Sequence, residues 1–149
     1  MNRTSARELA VRLCYCISEN PTDAGEFLSQ VFDDEYYATL KTEDKLYKEI
    51  PDDIQLEYIT RLVTGVQAHS AEIDGYIDKY AEGWKFGRIP RTAVAIMKVA
   101  MYEVLYMPDI PNKAAINEAV ELAKRYEPPE LVSFVNGVLG SFVRGEIRD

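Results

Sequence analysis

Outside residues 33–50, the apolar residues of this chain recur at helical spacing, and no strand alternation stands out. Near the N-terminus Ala6, Leu9, Ala10, Leu13, Cys14 and Ile17 follow the i, i+3, i+4, i+7 pattern of one helix face. That helix is expected to start on a cap at Thr4 or Ser5 and to stop at Asn20-Pro21. A second helix over about 22–32 turns Ala24, Phe27, Leu28 and Val31 to one side. The longest stripe runs through Ile54, Tyr58, Leu62, Val66, His69, Ile73, Tyr76, Ile77 and Tyr80. It predicts a single helix of about seven turns, opened by Pro51-Asp52-Asp53, whose acids meet the positive end of the dipole. Gly65 inside it costs about 1 kcal/mol against Ala, which implies a close helical neighbour.

Gly83, Gly87 and Pro90 punctuate a connector around Trp84 and Phe86. Helices are expected from Pro90 to Tyr106, from Asn112 to Tyr126, and from Pro128-Pro129 onward. Their inward stripes are Met97, Ala100, Met101, Val104 and Leu105; then Ile116, Ala119, Val120 and Ala123; then Leu131, Phe134, Val135, Val138, Leu139 and Phe142. Residues 33–50 are acidic and tyrosine-rich, and read as a loop or short frayed helices. The expected fold is all-α, with six or seven helices in two small orthogonally packed bundles. At 149 residues this is a single domain, 1–149, with subdomains 1–80 and 84–149.

Several function classes are unsupported. No apolar run approaches the roughly 20 residues that span a bilayer, and the N-terminus lacks the apolar core of a signal peptide. A cytoplasmic protein is expected, with Cys14 and Cys16 as buried, reduced thiols. On a helix their side chains point about 200° apart, so they can neither bridge nor share a metal. His69 is the one histidine, no His/Cys set has metal-ligand spacing, and no glycine-rich phosphate loop occurs. Neither an enzyme nor a cofactor is therefore expected.

Charge is unevenly placed. The chain carries −8, but residues 33–53 hold eight acids against three lysines, a net −5. Residues 79–98 hold Lys79, Lys85, Arg88, Arg91 and Lys98 against Glu82 alone, a net +4. A local basic surface on an acidic protein is one reading, and a solvated face without a ligand is the other.

Three constellations stand out. Arg3, Arg7, Val11 and Tyr15 recur at four-residue spacing beside the first stripe, offering guanidinium forks for phosphate and a ring for an unpaired base. Arg88-Ile89-Pro90-Arg91 opens a helix, where backbone N–H groups and arginines favour an anion. Ordinary surface arginines and structural ion pairs are the respective alternatives. Asn117 and Asn136, with Gly137 beside the second, read as polar pins and a close backbone approach that lock the last helices together.

The segments Met97–Glu103, Asp109-Ile110-Pro111, Ala115–Lys124 (AINEAVELAK) and Phe134–Leu139 (FVNGVL) resemble the NusB family of bacterial transcription antitermination factors. Ala6–Ala10 with Tyr15, Gly65-Val66 and Ile73-Asp74 are also similar, so the likeness covers nearly everything but residues 20–50. The resemblance implies two small helical bundles and an activity that is binding. The implied partners are boxA-type single-stranded ribosomal RNA, the ribosomal protein NusE, and the antitermination complex on RNA polymerase. It implies an RNA face of Arg3, Arg7, Tyr15, Arg88, Arg91 and Lys113, and a partner face with Glu130 and Phe134. A homodimer stays open. Two departures are visible: the family's N-terminal arginine cluster is thinned to Arg3 and Arg7, and Pro128-Pro129 replaces a serine-containing helix start. Two other readings remain: an RNA-targeting accessory domain of a ribosomal RNA methyltransferase, and an oligomerisation module that has lost RNA binding.

Overall fold

The computed structural model describes residues 1–147. Among them lie eight α-helices: α1 Arg3–Glu19, α2 Ala24–Val31, α3 Asp34–Leu40, α4 Asp53–Ala68, α5 Ser70–Tyr80, α6 Arg91–Tyr106, α7 Asn112–Tyr126 and α8 Pro129–Glu146. Single 3-10 turns cover Lys45–Lys48 and Phe86–Arg88. The described residues contain no strand. The all-α expectation holds, and the count exceeds six or seven for two reasons. The acidic stretch 33–50 contains a true helix, α3, and the seven-turn stripe is two helices rather than one.

The break in that stripe lies at His69, where neither glycine nor proline marks it. His69 adopts φ −109°, ψ 20°. Its ring stacks on Tyr106 with centroids 4.1 Å apart, and Nδ1 stands 3.5 Å from Glu72 Oε1. These contacts outweigh local helix propensity, which is a weak determinant.

The chain divides into two compact units, Met1–Gln67 and Ala68–Asp149. The division falls within the apolar stripe, whereas the sequence reading places it at the connector after Tyr80.

In the first unit every helix opens on a polar side chain. Asn2, not Thr4 or Ser5, caps α1: its Oδ1 accepts from Ser5 N–H at 2.8 Å. Asp23 caps α2, Asp33 caps α3, Asp44 caps the 3-10 turn and Asp52 caps α4, each by accepting a backbone N–H within the first turn. The α1 stripe is buried from Ala6 to Cys14 apart from Arg12, and Ile17 is half-buried. On α4, Tyr58, Ile59, Leu62, Val63 and Val66 are buried. Ile54, placed on that face by its spacing, is instead 69% exposed, because α4 has only just begun there. Gln67 ties the end of α4 to the start of α2, accepting from Ala24 N–H at 2.8 Å and donating to Thr22 O at 2.6 Å.

The second unit packs α5, α6, α7 and α8 against one another. Helix α6 is buried from Ala93 to Met97 and from Val99 to Glu103, as an apolar-all-round helix must be. Lys98 Nζ reaches Asp74 Oδ1 at 2.9 Å and Ser70 Oγ at 2.6 Å, fixing α6 to α5. Tyr76 packs on Phe142 with ring centroids 5.2 Å apart, fixing α5 to α8. Among the described residues, no helix is long and apolar enough to cross a membrane. Cys14 is buried as expected, but Cys16 is exposed; neither is in a disulfide among the described residues.

Candidate nucleic-acid interface

The arginines of α1 turn to their own unit. Arg3 is half-buried; its Nε donates to Gln55 Oε1 at 3.0 Å, and its guanidinium lies 3.8 Å above the Tyr58 ring. Arg7 is only 5% exposed, with its guanidinium 5.7 Å from the same ring. Val11, four residues on, is buried. The edge read as Arg3, Arg7, Val11 and Tyr15 therefore faces inward in its middle and outward only near its ends. Tyr15 remains 38% exposed. Spacing alone does not separate a stripe's flank from its centre, and burial on α1 is wide enough to take in the flank.

Arg12 lies in a role the sequence did not assign to it. Its Nη2 donates to Asp44 Oδ2 at 3.0 Å and stands 3.5 Å from Glu8, with the Tyr47 ring 5.7 Å away. Asp44 also accepts from Leu46 N–H at 2.9 Å. That backbone hydrogen bond, and then the arginine, hold the Asp44 carboxyl below the usual carboxylate range.

The basic residues of the second unit are presented differently. Arg88 ends the Phe86–Arg88 turn and Arg91 is the first residue of α6; both are exposed. Pro90 stands at the α6 N-cap and Pro111 at the α7 N-cap, and neither helix start receives a side-chain cap. Lys113, in the first turn of α7, is exposed as well. Arg91 and Lys113 thus lie in the first turns of two helices whose N-cap residues are prolines and whose first turns hold no acidic residue, an arrangement that favours anions such as phosphate.

Of the two partner-face candidates, Glu130 is exposed in the first turn of α8, which also lacks a side-chain cap. Phe134 is half-buried and packs on Trp84, ring centroids 4.8 Å apart at 43°. Trp84 itself is 39% exposed. Sequence reasoning saw it only as part of a connector; the signal was a lone tryptophan between Gly83 and Lys85. The reading of Asn117 and Asn136 as pins is overturned, since both are exposed. Gly137 is exposed too, and an added Cβ there would meet nothing within 4 Å. These polar groups sit on the outward arcs of α7 and α8.

The chain matches the NusB family over residues 4–144. It is 39% identical over 144 residues to the transcription antitermination protein NusB of Acetivibrio thermocellus, covering 97% of this chain and 90% of that one. The chain belongs to the NusB family. The corresponding protein of Ruminiclostridium cellulolyticum is 35% identical over 147 residues, 99% of this chain and 92% of that NusB. Among solved structures, T. maritima NusB superposes with a TM-score of 0.79 at 25% identity, covering 99% of this chain and 94% of that one. A complex of antitermination factors NusB and NusE with double-stranded RNA matches in fold, with a TM-score of 0.75 at 22% identity over 95% of this chain and 96% of that one.

Proposed function

We propose that this chain is a cytoplasmic transcription antitermination factor, a binding protein that takes boxA-type nascent ribosomal RNA together with NusE for assembly onto RNA polymerase. The observation that carries the reading is the family match across residues 4–144, joined to the local chemistry of the second unit. There the uncapped starts of α6 and α7 carry the exposed cations Arg91 and Lys113, with Arg88 just ahead. Phosphates would pair with these groups, and the exposed Tyr15 ring would supply a stacking surface for an unpaired base. Within the first unit, Arg3 would offer RNA the part of its guanidinium that Tyr58 and Gln55 leave accessible. Arg7, buried, serves the face indirectly by holding Tyr58 under Arg3. Glu130 and the Trp84–Phe134 pair would meet the protein partner through a charge and an aromatic surface.

The test is a titration of the protein, with and without NusE, against boxA-type RNA, a scrambled RNA of equal length and a duplex of the same sequence. NusE is expected to raise affinity for the boxA strand selectively. Equal binding of the scrambled strand in both conditions would refute sequence-specific recognition.

A further inference from the structure

The two most exposed large apolar residues of the described chain, Ile50 at 76% and Ile54 at 69%, fall within five positions of each other. Ile50 lies in, and Ile54 directly after, the acidic stretch 33–53 that the RNA-binding reading leaves without a role. We propose that this patch is a docking surface for a lysine- or arginine-rich protein segment bearing aliphatic side chains, independent of the RNA face.

The backbone here is held, so the exposure is a property of the fold. Just before Ile50, Tyr37 of α3 donates its hydroxyl to Glu49 O at 2.9 Å. Tyr37 is itself buried between Phe32 and Tyr47, with ring centroids 5.5 and 6.0 Å away. Just after Ile50, Pro51 is buried and Asp52 caps α4 through Gln55 N–H at 2.9 Å. The backbone is thus hydrogen-bonded on both sides of Ile50, by a part-buried bond before it and a helix cap after it. Fixed apolar side chains ringed by polar ones are the usual mark of an interaction site.

The ring decides the occupant. Glu49, Asp53 and Glu57 are exposed within three positions of one isoleucine or the other, and Asp34, Glu35 and Glu43 are exposed in and after α3. Lys48 is the one exposed cation within three positions of Ile50, and the stretch 33–53 keeps its net −5. A nucleic acid is repelled by such a field. In a symmetric pair the patch would face its own copy, carboxylate to carboxylate. A cationic segment with an apolar side instead gains from both the isoleucines and the acids.

The test uses the whole protein and a fluorescein-labelled helical peptide of lysine and leucine, read by fluorescence anisotropy. A lysine–serine peptide of equal charge is the control. The lysine–leucine peptide is expected to bind the wild type at least tenfold more tightly than the control, and to lose at least tenfold on Ile50→Ser/Ile54→Ser. Glu49→Gln/Glu57→Gln should weaken binding and flatten its salt dependence, and it leaves the apolar pair and the helix cap in place should the serine variant fold poorly. Equal binding of the two peptides, or undiminished binding by a folded serine variant, overturns the proposal. So does wild-type self-association abolished by Ile50→Ser/Ile54→Ser, which would assign the patch to a second copy.

Discussion

The two units of this chain begin their helices by opposite means. In Met1–Gln67, Asn2, Asp23, Asp33, Asp44 and Asp52 each place a side-chain oxygen on a first-turn N–H. In Ala68–Asp149, the caps of α5, α6, α7 and α8 are His69, Pro90, Pro111 and Pro128, none of which makes a side-chain cap hydrogen bond. A helix start already holding a carboxylate has little to offer an external anion, while one closed by proline keeps its dipole open. The arginines follow suit. Arg3, Arg7 and Arg12 are spent on Tyr58, Gln55, Tyr47 and Asp44. Arg88 and Arg91 face water. Arg3, Arg7 and Arg12 make side-chain contacts within the first unit, while Arg88 and Arg91 of the second are exposed.

The largest effect that would break this contrast concerns Arg7. If it is structural, Arg7→Ala should cost about 3 kcal/mol, because truncating a buried charged side chain removes packing and strands its partners. For a chain of this size that lowers the melting midpoint by about 6–12 °C. A differential scanning melt close to wild type would return Arg7 to the ligand face. Next comes Arg88→Glu/Arg91→Glu. It should leave the melt unchanged and weaken boxA RNA by about a hundredfold, or about 2.7 kcal/mol. The salt dependence should become shallower by about 1.4 in log–log slope, the share of two phosphate contacts on a single strand. Unchanged affinity would mean that the second unit's arginines only dress the surface.

The second unit's helices were largely legible beforehand, and the contrast with the first unit was not. The helix from Asn112 to Tyr126 ends where its prolines and polar residues say it should, and the family was readable from the segments of α6, α7 and α8. Three features were not legible. His69 breaks a continuous apolar stripe through its contacts with Tyr106 and Glu72, and no local propensity announces a tertiary contact. Asn117 and Asn136 look misplaced in a helix only if that arc is assumed buried, and it is exposed. Arg7 lies one position beyond the apolar stripe, where burial depends on how far a neighbour wraps around α1; periodicity gives the centre of a buried face but not its width.

A smaller effect sharpens the point by moving a cap from one unit's style to the other's. Pro90→Asp would give α6 the side-chain cap it lacks. The cap gains about 1 kcal/mol, and the lost proline gives back about 0.4–1 kcal/mol of unfolded-state entropy. Net stability should therefore stay within about 0.5 kcal/mol of wild type. The new carboxylate would sit at the start of α6, next to Arg91, and compete with phosphate, so RNA affinity should fall about threefold to tenfold, on the scale of one helix-terminus charge. Pro90→Asn, capping without charge, should fall less. Equal losses for both would show that the cap position acts by shape and not by charge.

The smallest effect lies at Asp44, where the first unit's two habits meet, since one carboxylate both caps the Lys45–Lys48 turn and pairs with Arg12. Its folded-state pKa is depressed by the Leu46 N–H hydrogen bond and then by Arg12. A depressed carboxylate contributes stability that is present above its unfolded pKa and is lost as pH falls through the folded value. Wild-type stability should thus decline as the medium is acidified below about pH 4. Asp44→Asn keeps an acceptor for Leu46 N–H but has no charge to titrate, so its decline over that window should be shallower. The carboxylate is 37% exposed, and solvent screening holds the difference under about 1 kcal/mol. Urea midpoints of the two proteins, measured at neutral pH and again near pH 3, provide the comparison. Parallel declines would show that the Asp44–Arg12 contact adds nothing to the cap.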